Sequence, residues 1–241
     1  MPLNWRSLRV ALDGLLHPPE GVPSARPGAS PIEPHPSAEP SDQGEIEADP
    51  LAGALALCLE DRWDEALVEL RRLAGPRCRS RRTWRALGVA HGRLGDWRRA
   101  QAALEEARRL AAGAENDELL VEVRAVRRWT RAVEHRPWDA EAHGNLGILL
   151  LAWEHGDAGL THLERATKLK PDWAEAHLHL GMELHYRGEI AAAERAYQEA
   201  ARLAPDGEAA RTCLEALRDG RLPVADDVAS TADPWHLALA V

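Results

Sequence analysis

The sequence predicts an all-α chain, a solenoid of helical hairpins stacked one on the next, and two observations carry that prediction. First, residues 174–207, AEAHLHLGMELHYRGEIAAAERAYQEAARLAPDG, reproduce residues 140–173, AEAHGNLGILLLAWEHGDAGLTHLERATKLKPDW, at a period of 34. Leu146/Leu180, Gly147/Gly181, Leu150/Leu184, Ala166/Ala200 and Pro171/Pro205 fall in register. Second, what recurs is a set of small residues that let two helices approach, large ones that fill the layer between hairpins, and a proline that ends the second helix. One hairpin cannot bury its own apolar face, so an array of copies is the stable arrangement.

Taken in order, residues 1–17 hold a short amphipathic island, Leu3 to Leu16, in which Trp5, Leu8, Leu12 and Leu15 recur at three- and four-residue steps. That spacing places them on one face of a helix and makes them a candidate partner motif. Residues 18–48 carry Pro18, Pro19, Pro23, Pro27, Pro31, Pro34, Pro36 and Pro40 among Ser, Gly and acidic residues. Such a segment buries too little surface to offset its ordering entropy and reads as a disordered linker.

Residues 49–220 are the repeat domain. A copy at 81–114 supplies Trp84, Leu87, Gly88, Gly95, Ala100, Leu104 and Ala107, with Ala112 where the proline is expected. A weaker copy at 47–80 keeps Trp63, Ala66 and Leu70 but has Gly53 and Ala54 in place of Leu-Gly. Between the pairs of copies, residues 115–139 form a shortened unit: Ala125, Trp129, Ala132 and Pro137 sit 34 residues before Gly159, Leu163, Ala166 and Pro171, with no room for a full first helix. Units 140–173 and 174–207 follow, Glu208 to Arg218 reads as a single closing helix, and 221–241 is a tail. Its end, DPWHLALAV, reads either as an apolar cap on the last repeat or as a ligand.

This pattern resembles the tetratricopeptide repeat family over about residues 47–207. The resemblance implies a right-handed superhelix with a concave inner surface, and a role as an interaction scaffold or adaptor that takes a peptide or helix of another protein in that groove. The alternative is a permanently docked assembly or regulatory subunit of a larger enzyme or secretion complex. The groove positions the resemblance implies are Arg82, Arg85, Val89 and Arg93, then Glu141, Asn145, Ile148 and Leu151, then Glu175, His179, Met182, His185 and Tyr186. Asn145 stands where members of the family use an asparagine to hold a peptide backbone or carboxylate. Glu175 and His179 stand where the chaperone-binding members need Lys or Arg, so a carboxylate clamp is not expected.

Composition narrows the function. The 30 basic against 39 acidic side chains argue against a general nucleic-acid binder. The charge is uneven: net −5 over 1–50, +4 over 51–139, −6 over 140–220 and −2 over 221–241. The basic run Arg77, Arg79, Arg81, Arg82 and Arg85 reads as a charged turn and helix face, with an acidic peptide or this chain's own acidic linker as its functional counterpart. Cys58, Cys78 and Cys213 lack the pairing of a disulfide or zinc framework. No window reaches the roughly 18 apolar residues of a membrane span, and the amino terminus lacks a signal-peptide pattern, so a cytoplasmic protein is expected.

Eleven histidines raise a metal or catalytic reading. His143 and His177 share one repeat position, where packing between helices is expected. His179 and His185, six apart, diverge by about 120° around a helix, which disfavours a shared ligand pair. His155 and His162 flank a turn and are expected in solvent. No HExxH, GxSxG, Walker-type or GxGxxG pattern occurs, and the chain is read as non-enzymatic and without cofactor.

Overall fold

The computed structural model describes residues 49–110 and 118–222. The amphipathic island with Trp5, Leu8, Leu12 and Leu15, the Pro-rich linker and all but the start of the tail lie outside the described residues. Those described form ten α-helices and no strand: α1 Pro50–Leu59, α2 Trp63–Leu73, α3 Arg81–Arg93, α4 Trp97–Arg109, α5 Glu118–His135, α6 Ala140–Ala152, α7 Gly156–Leu169, α8 Ala174–Tyr186, α9 Ile190–Leu203 and α10 Glu208–Arg218.

Local chemistry sets the helix starts. Pro50 occupies the first turn of α1, where a missing N–H costs nothing, and the Asp49 carboxylate accepts from Leu51 N. Ser80 Oγ accepts from Thr83 N, Asp96 Oδ1 from Arg99 N, and Asp139 Oδ1 from Ala142 N. The turns inside hairpins share one geometry. Arg62 N donates to Leu57 O, Asp96 N to His91 O, His155 N to Leu150 O and Glu189 N to Leu184 O, each at 2.8–2.9 Å. These bonds close the helix ends as Schellman turns, with Asp61, Gly95, Glu154 and Gly188 in the left-handed region. Gly95 and Gly188 adopt it freely, whereas Asp61 and Glu154 do so at a cost in backbone strain.

Within each hairpin one close contact recurs at a spacing of sixteen residues. A Cβ added at Gly88 would come within 2.6 Å of Leu104, one at Gly147 within 2.9 Å of Leu163, and one at Gly181 within 2.6 Å of Tyr197. In α1–α2 the equivalent pair is Ala54 and Leu70, both fully buried. The first helices also meet their counterparts, α1 against α3 and α6 against α8, which forms an inner layer. At the far end, α10 closes the array by packing Ala209, Ala210, Cys213 and Leu217 on α8 and α9.

The 115–139 segment contains one continuous helix, α5, packed between α4 and α6. Only seven residues separate Leu110 from Glu118, too few for a first helix like α3, α6 or α8, each of 13 residues. Across it, the C-terminal ends of α3 and α6 are joined through side chains. The fully buried Trp153 indole fills the space between them: a Cβ on Gly92 would fall 2.2 Å from its ring.

Candidate functional site

The inner layer places the expected groove residues unevenly. Asn145, Ile148, Met182 and His185 are buried between helices, at 4–9% exposure, and Val89 is wholly enclosed. The asparagine is therefore packed between helices, and its buried side chain is not a free peptide clamp. His185 lies beside the buried Tyr197, with Nδ1 3.5 Å from the hydroxyl, and burial pushes its imidazole down from the ordinary value. His179 is half-buried, but its Nε2 is enclosed with no hydrogen-bond partner among the described residues, and burial pushes it down to about 4. Arg82 and Arg85 are half-buried near the entry of α3, and Arg82 meets Asp49 at 3.6 Å. Tyr186 is 41% exposed at the end of α8. Of the nominated residues, Glu141 and Tyr186 are exposed, and Arg82, Arg85, Leu151, Glu175 and His179 keep part of their surface.

Arg93 has a different role. Its guanidinium, 8% exposed, pairs with Asp61 at 3.0 Å and with Glu154, donates to Trp153 O at 3.3 Å and lies 5.0 Å from the Trp63 ring centroid. It ties the turn of the first hairpin to the turn after α6, across the shortened unit. His155 completes the junction. Its Nε2 lies 2.9 Å from Gly92 O, and its ring meets Trp97 edge-on, which in turn stands at 89° to Trp153. The expectation that His155 and His162 sit in solvent is therefore corrected. His162 Nδ1 lies 2.9 Å from His143 Nδ1, so one ring donates and the other accepts, and burial followed by the neighbouring His143 lowers the His162 pKa.

His143 and His177 repeat a second contact: Nε2 of each lies 3.0–3.2 Å from the carbonyl oxygen of Pro137 and Pro171, which locks the turn before its helix. Among the described residues no group of three or more His, Cys, Asp or Glu side chains is placed to hold a metal, and no helix is long and apolar enough to cross a membrane.

Two features escaped sequence reasoning. Glu122 of α5 is buried against the apolar cluster of Val89, Leu104, Val123 and Trp153. Burial, reinforced by the Glu118 charge and opposed by the Trp153 indole, pushes its carboxyl up to about 7. The second is an arginine-lined recess of about 620 Å³ on α4 and α5, whose signal in the sequence is the spacing of Arg124, Arg127, Arg128 and Arg131.

Residues 174–206, corresponding to α8 and α9, match the tetratricopeptide repeat family model. A search of curated protein sequences returned no match. Among solved structures, this chain is similar to YrrB, described as a TPR protein with an unusual peptide-binding site, at 21% identity over 69% of this chain and 90% of that one, TM-score 0.37. It is also similar to MamA at 18% identity over 77% and 92%, TM-score 0.34. The C-terminal part of a TPR repeat-containing protein from Cytophaga hutchinsonii is similar at 16% identity over 78% and 77%, TM-score 0.35. At these scores the likeness carries no argument about a ligand.

Proposed function

We propose, from the premise that this chain is a tetratricopeptide-repeat protein, that it is an interaction scaffold holding a peptide or helix of another protein against its inner layer. The observation that carries this reading is the side-by-side placement of first helices, α1 with α3 and α6 with α8. Beside it, Asn145, Ile148 and Met182 are buried between helices while Arg82, Arg85 and Tyr186 retain solvent-facing surface. A ligand here meets two guanidinium groups from α3 and a phenol from α8, the arginine and tyrosine chemistry enriched where interfaces concentrate binding energy. Two half-grooves, joined through Arg93, Trp153 and His155, suit a segment that engages both pairs of first helices.

A second reading, a subunit docked permanently in a larger assembly, draws on apolar side chains of the first hairpin left in solvent: Leu59 at 56% and Val68 at 64% exposure. The two separate in a pulldown from native lysate, comparing the full-length protein with Arg85→Glu and Tyr186→Ala. A protein retained by the parent, lost with both groove variants and released by salt supports the scaffold. Retention insensitive to both variants and to salt, yet lost with Val68→Lys, refutes the groove and supports the docked subunit.

A further inference from the structure

Arg124, Arg127, Arg128 and Arg131 stand at positions i, i+3, i+4 and i+7, so four guanidinium-bearing side chains share one side of α5. The opposite side buries Leu119, Glu122 and Val126. The recess these arginines line also includes Gln101 of α4, His135 and Arg136. Its nearby carboxylates are engaged: Glu105 pairs with Arg124 at 2.8 Å and Asp139 with Arg136 at 3.2 Å. Arg127 donates to the neutral Gln101 side chain, and the Arg128 guanidinium lies 4.7 Å from the Trp129 ring centroid. Arg131 is exposed and makes no ion pair among the described residues. A neighbouring recess of about 550 Å³ shares Arg127 and Arg131 and adds Arg98, Thr130 and two carboxylates, Glu134 and Asp96, the latter paired with Arg99 at 2.7 Å. The surface is thus locally basic on a chain of net charge −9.

We propose that this arginine-lined face, on the second-helix side of the array, is a docking site separate from the inner groove, and that its occupant is an extended acidic peptide of a partner protein. Three observations favour that occupant. Successive turns of α5 advance by roughly 5.4 Å, and alternate residues of an extended strand by roughly 6.6 Å, so carboxylates at every second position drift by only about 3 Å across Arg124, Arg127/Arg128 and Arg131, which long arginine side chains span. A lone phosphate spans one such step and leaves the rest unused. Trp138, 70% exposed and two residues beyond Arg136, supplies an aromatic anchor that a peptide uses and a simple anion does not.

Asp49, where the amino-terminal segment joins α1, meets Arg82 of α3 and not this face. A polyphosphate backbone fits less well, because Glu134 and the net negative charge of the chain oppose it.

Fluorescence anisotropy with the full-length protein tests this. The probe is a fluorescein-labelled octapeptide of alternating glutamate and serine, with the glutamine-serine peptide as control. Saturable binding of the glutamate peptide alone is expected, weakened about tenfold by Arg131→Glu and less by Arg127→Gln, and unchanged by Arg85→Glu or Tyr186→Ala. Arg131 is exposed, so that variant should fold, which circular dichroism verifies. Loss of binding in the groove variants alone would overturn the second site and leave the groove reading standing.

Other results also overturn the proposal: equal affinity of Arg131→Glu, displacement by inorganic phosphate as effective as by unlabelled peptide, or tighter binding of an oligothymidylate. A tenfold gain in affinity on replacing Glu39, Glu45 and Glu47 by glutamine would instead assign the face to this chain's own segment.

Discussion

Gly92 and Gly53 form a matched pair in which the same substitution has opposite sign. Both lie inside helices, where Ala is favoured over Gly by about 1 kcal/mol. At Gly53, on the exposed side of α1, an added Cβ meets nothing within 4 Å, so Gly53→Ala should realise that gain. At Gly92 the Cβ would fall 2.2, 2.7 and 2.9 Å from three carbons of the Trp153 ring. The ring has no retreat: it is fully buried, braced edge-on by Trp97 with centroids 5.5 Å apart, and its backbone carbonyl is held by Arg93. Overpacking of this kind costs about 1–3 kcal/mol and the rigidity of a bridged junction puts the cost at the upper end, so Gly92→Ala should destabilise by about 1–2 kcal/mol after the propensity gain is subtracted. Thermal unfolding followed by circular dichroism should place the midpoint of Gly53→Ala a few degrees above the parent and that of Gly92→Ala a few degrees below it. If Gly92→Ala is as stable as Gly53→Ala, Trp153 does not fill the gap between α3 and α6 and the account of the junction fails.

Glu122 makes stability depend on pH. Its folded-state carboxyl is raised above that of the unfolded chain, so the folded state binds the extra proton, and its contribution is complete below about pH 4.5 and lost as pH rises through about 7. Urea titrations should show Glu122→Gln losing about 3 kcal/mol less stability than the parent between pH 5 and pH 8; parallel pH profiles would refute the burial. Removing Arg93 leaves Glu154 and the Trp153 carbonyl without their shared donor. Arg93→Met should therefore cost about 1–3 kcal/mol in urea unfolding and speed amide exchange at the ends of α3 and α6, and unchanged exchange there would count against the bridge. Asp139→Ala removes both the α6 cap and the ion pair with Arg136, with an expected loss of about 1 kcal/mol by the same titration.

Much of this protein is legible one period at a time. The contacts of Gly88 with Leu104, Gly147 with Leu163 and Gly181 with Tyr197 lie within one unit, so a self-comparison of the sequence exposes them. The shared role of His143 and His177 was visible for the same reason, although the partners, Pro137 and Pro171, required the structure. The inner-face positions were harder to read. Asn145, Ile148, Met182 and His185 occupy positions expected in the groove, yet packing between helices buries them, Met182 against α9 and α10 and His185 beside Tyr197, and exposure at such positions depends on how tightly the helices stack.

By itself the sequence determined the all-α class, the hairpin period and the turns, because these rest on interactions between residues sixteen to thirty-four apart that recur with each copy. Only the tertiary structure decided the junction. Trp153 stands where the following copy has Arg187, so the period assigns it no partner. It finds one sixty residues back, at Gly92 and Arg93, because across the shortened unit the ends of α3 and α6 leave a space that the indole fills. The arginine face of α5 is decided the same way: its spacing is written in the sequence, but whether its charges are cancelled depends on what α4 places beside them.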